Sequence, residues 1–113
     1  MNILQKLGRK LVKEGLRERV IEALRQIRDP EIPINISDLG LIYGLDIDDM
    51  GRVAIRMTLT APACPVAQTF PAQVEDAVEA VYGVSRADVE LVWDPPWDIN
   101  RLGEAARLQL GLL

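Results

Sequence analysis

The sequence predicts a two-layer α/β (α+β) domain, a small three-stranded mixed sheet with helices on one face, in the order α-β-β-α-β. Apolar residues recur at helical spacing from Leu16 to Arg28 and again from Phe70 to about Tyr82, whereas three other stretches alternate with the two-residue period of a strand. A turn joins the first two strands and makes them antiparallel, while a helix crosses over between the second and third and makes those parallel. At 113 residues, 49% of them hydrophobic, the chain is long enough for one core, and no internal repeat or linker divides it.

The first helix places Leu16, Val20, Leu24 and Ile27 on one face and stops at Asp29-Pro30, because proline disfavours helical backbone in the residue before it. Ahead of it, residues 1–15 read as a basic amphipathic extension of the 16–113 domain. Its Leu4, Leu7 and Leu11 are expected to turn inward and its basic residues to be solvated or to meet an acidic partner. In the first strand Leu41, Tyr43, Leu45 and Ile47 alternate with Ile42, Gly44, Asp46 and Asp48, giving a half-buried strand. After the turn at Asp48, Asp49, Met50 and Gly51, Val53, Ile55, Met57 and Leu59 line one face of the second strand, with Arg52, Ala54, Arg56 and Thr58 on the other.

Phe70, Val74, Ala77, Val78 and Val81 form the apolar side of the second helix, with Gly83 as its stop. Its start has two candidates, Pro65 with Cys64 at the cap and Pro71 after Thr69; a kink at Pro71 reconciles them. The third strand turns Ala87, Val89, Leu91 and Trp93 inward and ends at Pro95-Pro96, and a short helix over 104–110 follows it.

Composition removes much familiar chemistry. There is one cysteine and no histidine, which excludes an internal disulfide, a His-based acid/base pair and zinc sites built on His or paired Cys. No apolar run reaches the ~18 residues of a membrane span, and the basic N-terminus lacks the apolar stretch of a signal peptide, so with a free thiol the expected location is the cytoplasm. The net charge of -4 is uneven: Lys6, Arg9, Lys10, Lys13, Arg17, Arg19, Arg25 and Arg28 are eight of thirteen basic residues, and the remainder is strongly acidic. An acidic body argues against nucleic acid as a partner, because phosphate contacts need a basic docking face.

The predicted topology brings three loops to one sheet end: the loop leading into the first strand (Asp29, Pro30, Glu31, Ile32, Pro33, Asp38), the loop leaving the second (Thr60 to Pro65) and the loop leaving the third (Trp93 to Trp97). Cys64 is the sharpest signal. Beside a helix N-terminus a thiol feels the positive end of the dipole, which favours the thiolate that binds iron or attacks an electrophile; the competing reading is an inert buried cysteine. Asp29, Glu31 and Asp38 suit either a hard metal or acid/base set, or the turn and cap roles that acids beside Pro and Gly commonly fill. Thr58 and Thr60 share a face, where hydroxyls can support a thiolate or anion, though threonine is also an ordinary strand residue. Trp97 reads as an exposed partner contact or as a lid on the core.

Taken in order, DPEIPINISDLGLIYGLDID, MTLTAPACPVAQTFP and VELVWDPPWD resemble the SufT-like and PaaD-like metal-sulfur cluster assembly domain family, over about Glu22 to Leu110. The resemblance implies a non-catalytic factor that helps mature iron-sulfur proteins, with functional positions at Asp29, Glu31, Asp38, Thr58, Thr60 and Cys64. Ala63 stands where the family has glycine before the cysteine, and the extra C-terminal cysteines of PaaD-like members are absent, which favours the SufT-like branch. One thiolate cannot supply the four ligands of a standard cluster. The expected role of Cys64 is therefore transient ligation of iron or a cluster, across a homodimer or at an interface with a scaffold or recipient protein. An adaptor that docks partners without binding a cluster is the alternative, and a thiol transferase a weaker third, since no histidine can serve as its base.

Overall fold

The computed structural model describes residues 2–60 and 69–111. Its elements are α1 (Ile3–Arg25), β1 (Ile42–Ile47), β2 (Arg52–Met57), α2 (Phe70–Glu79), β3 (Arg86–Leu91) and α3 (Glu104–Gln109), with a short 3-10 turn at Ile99–Arg101. The sheet order is β1-β2-β3; β1 and β2 are antiparallel and β2 and β3 parallel, the mixed three-stranded sheet that the sequence predicts.

The first helix is one continuous element. Asn2 accepts from the Gln5 N–H while the Gln5 side chain accepts from the Asn2 N–H, and this reciprocal pair satisfies two donors that a helix start leaves open. The helix ends at Arg25, short of the expected Arg28, and the backbone turns so that the Ile36 N–H donates to the Ile27 carbonyl. Leu16, Val20 and Leu24 are buried, and full burial of such a side chain contributes roughly 1.5–3 kcal/mol. The inward turn expected of Leu4, Leu7 and Leu11 is not observed. Leu4 is 76% and Leu11 66% exposed, so among the described residues nothing covers this side of the helix. Lys13 instead reaches the hairpin turn, 3.2 Å from Asp49.

β2 keeps strict alternation, with Val53, Ile55 and Met57 buried and Arg52, Ala54 and Arg56 exposed. β1 does not. A bulge lies between Ile42 and Gly44: Ile42 pairs with Met57 and Gly44 with Arg56, which leaves Tyr43 as the extra residue and breaks the inward run expected of it. Tyr43 instead holds its hydroxyl against the Pro95 carbonyl at 2.8 Å. Met57 at the end of β2 and Thr58 and Leu59 after it are all buried, so the two-residue period ends at Thr58.

α2 starts at Phe70, with Pro71 in the first turn, where its missing N–H leaves no bond unmade. The alternative start at Cys64-Pro65 lies outside the described residues. Phe70, Val74 and Val78 face the core, while Glu75 and Glu79, one turn apart, accept from the Val89 and Ala87 N–H groups at 2.8 and 3.4 Å. These carboxylates cover the outer edge of β3, which would otherwise offer unpaired donors to another strand. Trp93, expected to point inward, is 42% exposed because β3 stops at Leu91. Leu102 and Ala106 join the same core from the C-terminal segment.

Candidate functional site

The parallel β2–α2–β3 crossover and the antiparallel hairpin fix the geometry of one sheet end. The loop 28–41 leads into β1 there, and the backbone leaves β2 after Met57 and β3 after Leu91 at the same end. The described parts of the three sequence-predicted segments therefore start from one sheet end. Cys64 falls in the 61–68 segment, outside the described residues; Thr60 is the last described residue before it and is half-buried.

The acidic positions of the first loop shape that loop. Asp29 is 6% exposed, and one of its carboxylate oxygens accepts from the Glu31 and Ile32 N–H groups, both at 2.9 Å, while its own N–H donates to the Ile34 carbonyl. Asp38 accepts from the Asn35 amide at 2.9 Å and returns its backbone N–H to the Asn35 side-chain oxygen at 2.9 Å; its carbonyl accepts from the Gly103 N–H. Glu31 is exposed. Among the described residues no three Asp, Glu, Cys or His side chains gather into a set able to hold a metal ion, so Asp29, Glu31 and Asp38 do not form a carboxylate cluster. For Asp29 and Asp38 the turn and cap roles are the ones the geometry displays, while no bond of the Glu31 carboxylate is seen among the described residues.

Thr58 differs. Its backbone N–H donates to the Leu41 carbonyl, but its side chain is fully buried and Oγ1 has no hydrogen-bond partner among the described residues. A buried hydroxyl left unpaired costs about 1–3 kcal/mol. A buried polar atom of this kind calls for a partner outside the described residues. Trp97 lies on the core side of the two readings. It packs against the core cluster and its indole N–H donates to the Leu39 carbonyl at 2.6 Å, so the exposed tryptophan of this end is Trp93.

The same end holds a feature that sequence reasoning missed. A cleft of about 600 Å³ is lined by Gly40, Ile42, Tyr43, Arg56, Val92, Asp94, Pro95 and Arg101. The Arg101 guanidinium sits 4.7 Å from the centre of the Tyr43 ring. The one available signal was Arg56 on the exposed face of β2; neither the bulge that redirects Tyr43 nor the return of Arg101 from the C-terminal segment leaves a local trace.

The architecture defines a small α+β domain in which the described backbone before β1, after β2 and after β3 meets one sheet end. The protein belongs to the iron-sulfur cluster assembly protein family, whose model matches residues 17–91. It is 44% identical over 96 residues to an "Fe-S protein maturation auxiliary factor" of Porphyromonas gingivalis, covering 85% of the present sequence and 91% of that protein. It is 34% identical over 84 residues to the "Fe-S protein maturation auxiliary factor SufT" of Staphylococcus aureus, covering 74% of the present sequence and 96% of that one. In structure it is similar to the "Domain of Unknown Function DUF59" from Bacillus anthracis, with a TM-score of 0.82 and 30% identity over 92% of the present sequence and 99% of that one. The family match begins after the exposed half of α1. None of the described helices is long and apolar enough to cross a membrane.

Proposed function

We propose that this protein is a non-catalytic maturation factor for iron-sulfur proteins, in which the Cys64 thiolate transiently ligates iron or a cluster during transfer to a recipient. The observation that carries the reading is the buried Thr58 hydroxyl, without a hydrogen-bond partner among the described residues, at the sheet end where the backbone leaves β2, six positions before the single cysteine. A hydroxyl there can donate to a thiolate or sulfide and lower the cost of its charge, since a hydrogen bond to the charged form favours that form. Thr60, Asp29, Glu31 and Asp38 support the site by shaping and lining its loops. One thiolate is far short of four cluster ligands, so the cargo is shared with a second copy or with a scaffold or recipient protein. Membership in an iron-sulfur assembly family and the maturation-factor names of relatives support iron or a cluster as the cargo.

An adaptor that docks partners without touching the cargo is the second reading, and it is favoured by the lack of a three-ligand set among the described residues. Anaerobic reconstitution of wild type and Cys64→Ala with iron and sulfide, read by visible absorption, iron analysis and native mass, separates the two. Cluster absorption in wild type alone, at a stoichiometry that joins two copies or leaves ligand positions for a partner, is the expected result. Absence of iron from both proteins would establish the adaptor.

A further inference from the structure

We infer that the cleft on the uncovered side of the sheet is a binding site for a single carboxylate on a partner peptide, held between Arg56 and Arg101 with apolar neighbours seated on Ile42, Val92 and Pro95. The placement of Arg56 is the first argument. Its cross-strand neighbour on β3 is Glu90, an available ion-pair partner in direct register. Arg56 nevertheless lies across the other neighbour, Gly44: a methyl carbon added at Gly44 would stand 2.5 Å from one terminal guanidinium nitrogen and 3.0 Å from its carbon. Any side chain at position 44 would displace the guanidinium, so the glycine lets it lie over β1 at the cleft.

Arg101 supplies the second guanidinium. It stacks on Tyr43, whose hydroxyl is fixed to the Pro95 carbonyl, so ring and cation are held from both sides of the cleft. Neither arginine is within 4.0 Å of a carboxylate oxygen among the described residues, although Asp94 is itself part of the lining. Two oriented guanidinium groups without an acid are suited to a planar, bidentate anion, which favours carboxylate or phosphate.

The apolar walls and the strongly acidic surroundings decide between candidates. Nucleic acid or a polyacidic tract would bring many negative charges against an acidic body, whereas a peptide presenting one carboxylate and apolar flanks does not. The carboxylate can belong to an Asp or Glu side chain or to the free C-terminus of the peptide; the chemistry is shared.

The test is fluorescence anisotropy on the full-length protein without iron, so that its outcome is independent of cluster reconstitution. Three labelled pentapeptides of Leu and Gly are used, one with a central Asp and an amidated end, one with a free C-terminus and no acid, and one with neither, with inorganic phosphate as competitor. At least one carboxylate peptide is expected to bind measurably while the neutral one does not, and Arg56→Gln and Arg101→Gln should each weaken it about tenfold or more. Which peptide binds tells a side chain from a terminus. Equal affinity for all three peptides, no binding at millimolar concentration, tighter binding of phosphate than of either carboxylate, or indifference to both substitutions in variants of unchanged melting temperature would each overturn the proposal.

Discussion

The two ends of the sheet are built from the same strands but treat their polar groups in opposite ways. At the hairpin end every prominent polar group closes on a neighbour. Asp48 accepts from the Met50 and Arg52 N–H groups at 2.8 and 2.9 Å and from the Arg52 side chain at 2.7 Å, while Ser85 bonds the Met50 carbonyl through its hydroxyl and the Gly51 carbonyl through its N–H. At the loop end a buried hydroxyl and two guanidinium groups lack such closure among the described residues. One end closes within the described residues, and the other keeps groups that find no partner among them.

Three substitutions and a titration break or sharpen that contrast. The largest effect on stability is expected of Gly51→Ala. Gly51 has φ of +80°, and an added methyl would collide with the Gly83 carbonyl, so the closed end should lose at least about 2 kcal/mol in urea denaturation. A loss below about 0.5 kcal/mol would show that the turn is looser than its bonds imply. Next comes a matched pair of hydroxyl deletions. Ser85→Ala should cost about 1 kcal/mol, whereas Thr58→Val, nearly the same shape, should leave stability unchanged or raise it by about 1 kcal/mol while lowering maturation of recipient proteins. A clear destabilisation in Thr58→Val would mean that the hydroxyl is satisfied within the protein, by the 61–68 segment.

The smallest effect is a pH dependence at the closed end. The Arg52 backbone N–H, aided by the Arg52 side chain and the Met50 N–H, holds the Asp48 carboxyl below its ordinary value of 3.8 against the opposing effect of desolvation. A carboxyl whose pKa is lower in the folded state favours folding above the unfolded value and loses that contribution as pH falls through the folded one. Chemical denaturation between pH 5 and about pH 3 should therefore show a slightly shallower acid loss in Asp48→Asn than in wild type. Identical slopes would remove Asp48 from the acid response.

Much of this was legible in the sequence because the signals were local. The spacing of Leu16, Val20 and Leu24, the alternation of Val53, Ile55 and Met57, and the Asp48–Gly51 turn each fix an element from residues a few positions apart, and the order of elements then limits the strand directions. The shared sheet end from which the described segments before β1 and after β2 and β3 run followed from that topology. Where the reading failed, distant segments decided the outcome. Leu4, Leu7 and Leu11 have helical periodicity but are left exposed among the described residues, and Trp93 continues an alternating pattern past the point where its strand loses its pairing.

The sequence by itself determined the elements, the mixed sheet, the uneven charge and the single thiol, since propensity, periodicity and composition are properties of short stretches. Only the tertiary structure decided the bulge at Tyr43, the seat of Trp97 on Leu39, the burial of Thr58 without a partner among the described residues and the placing of Arg56 and Arg101 in the lining of one cleft. Each of these depends on which groups arrive from segments far apart in the sequence. Whether a polar atom is satisfied or left open is a property of the packed whole.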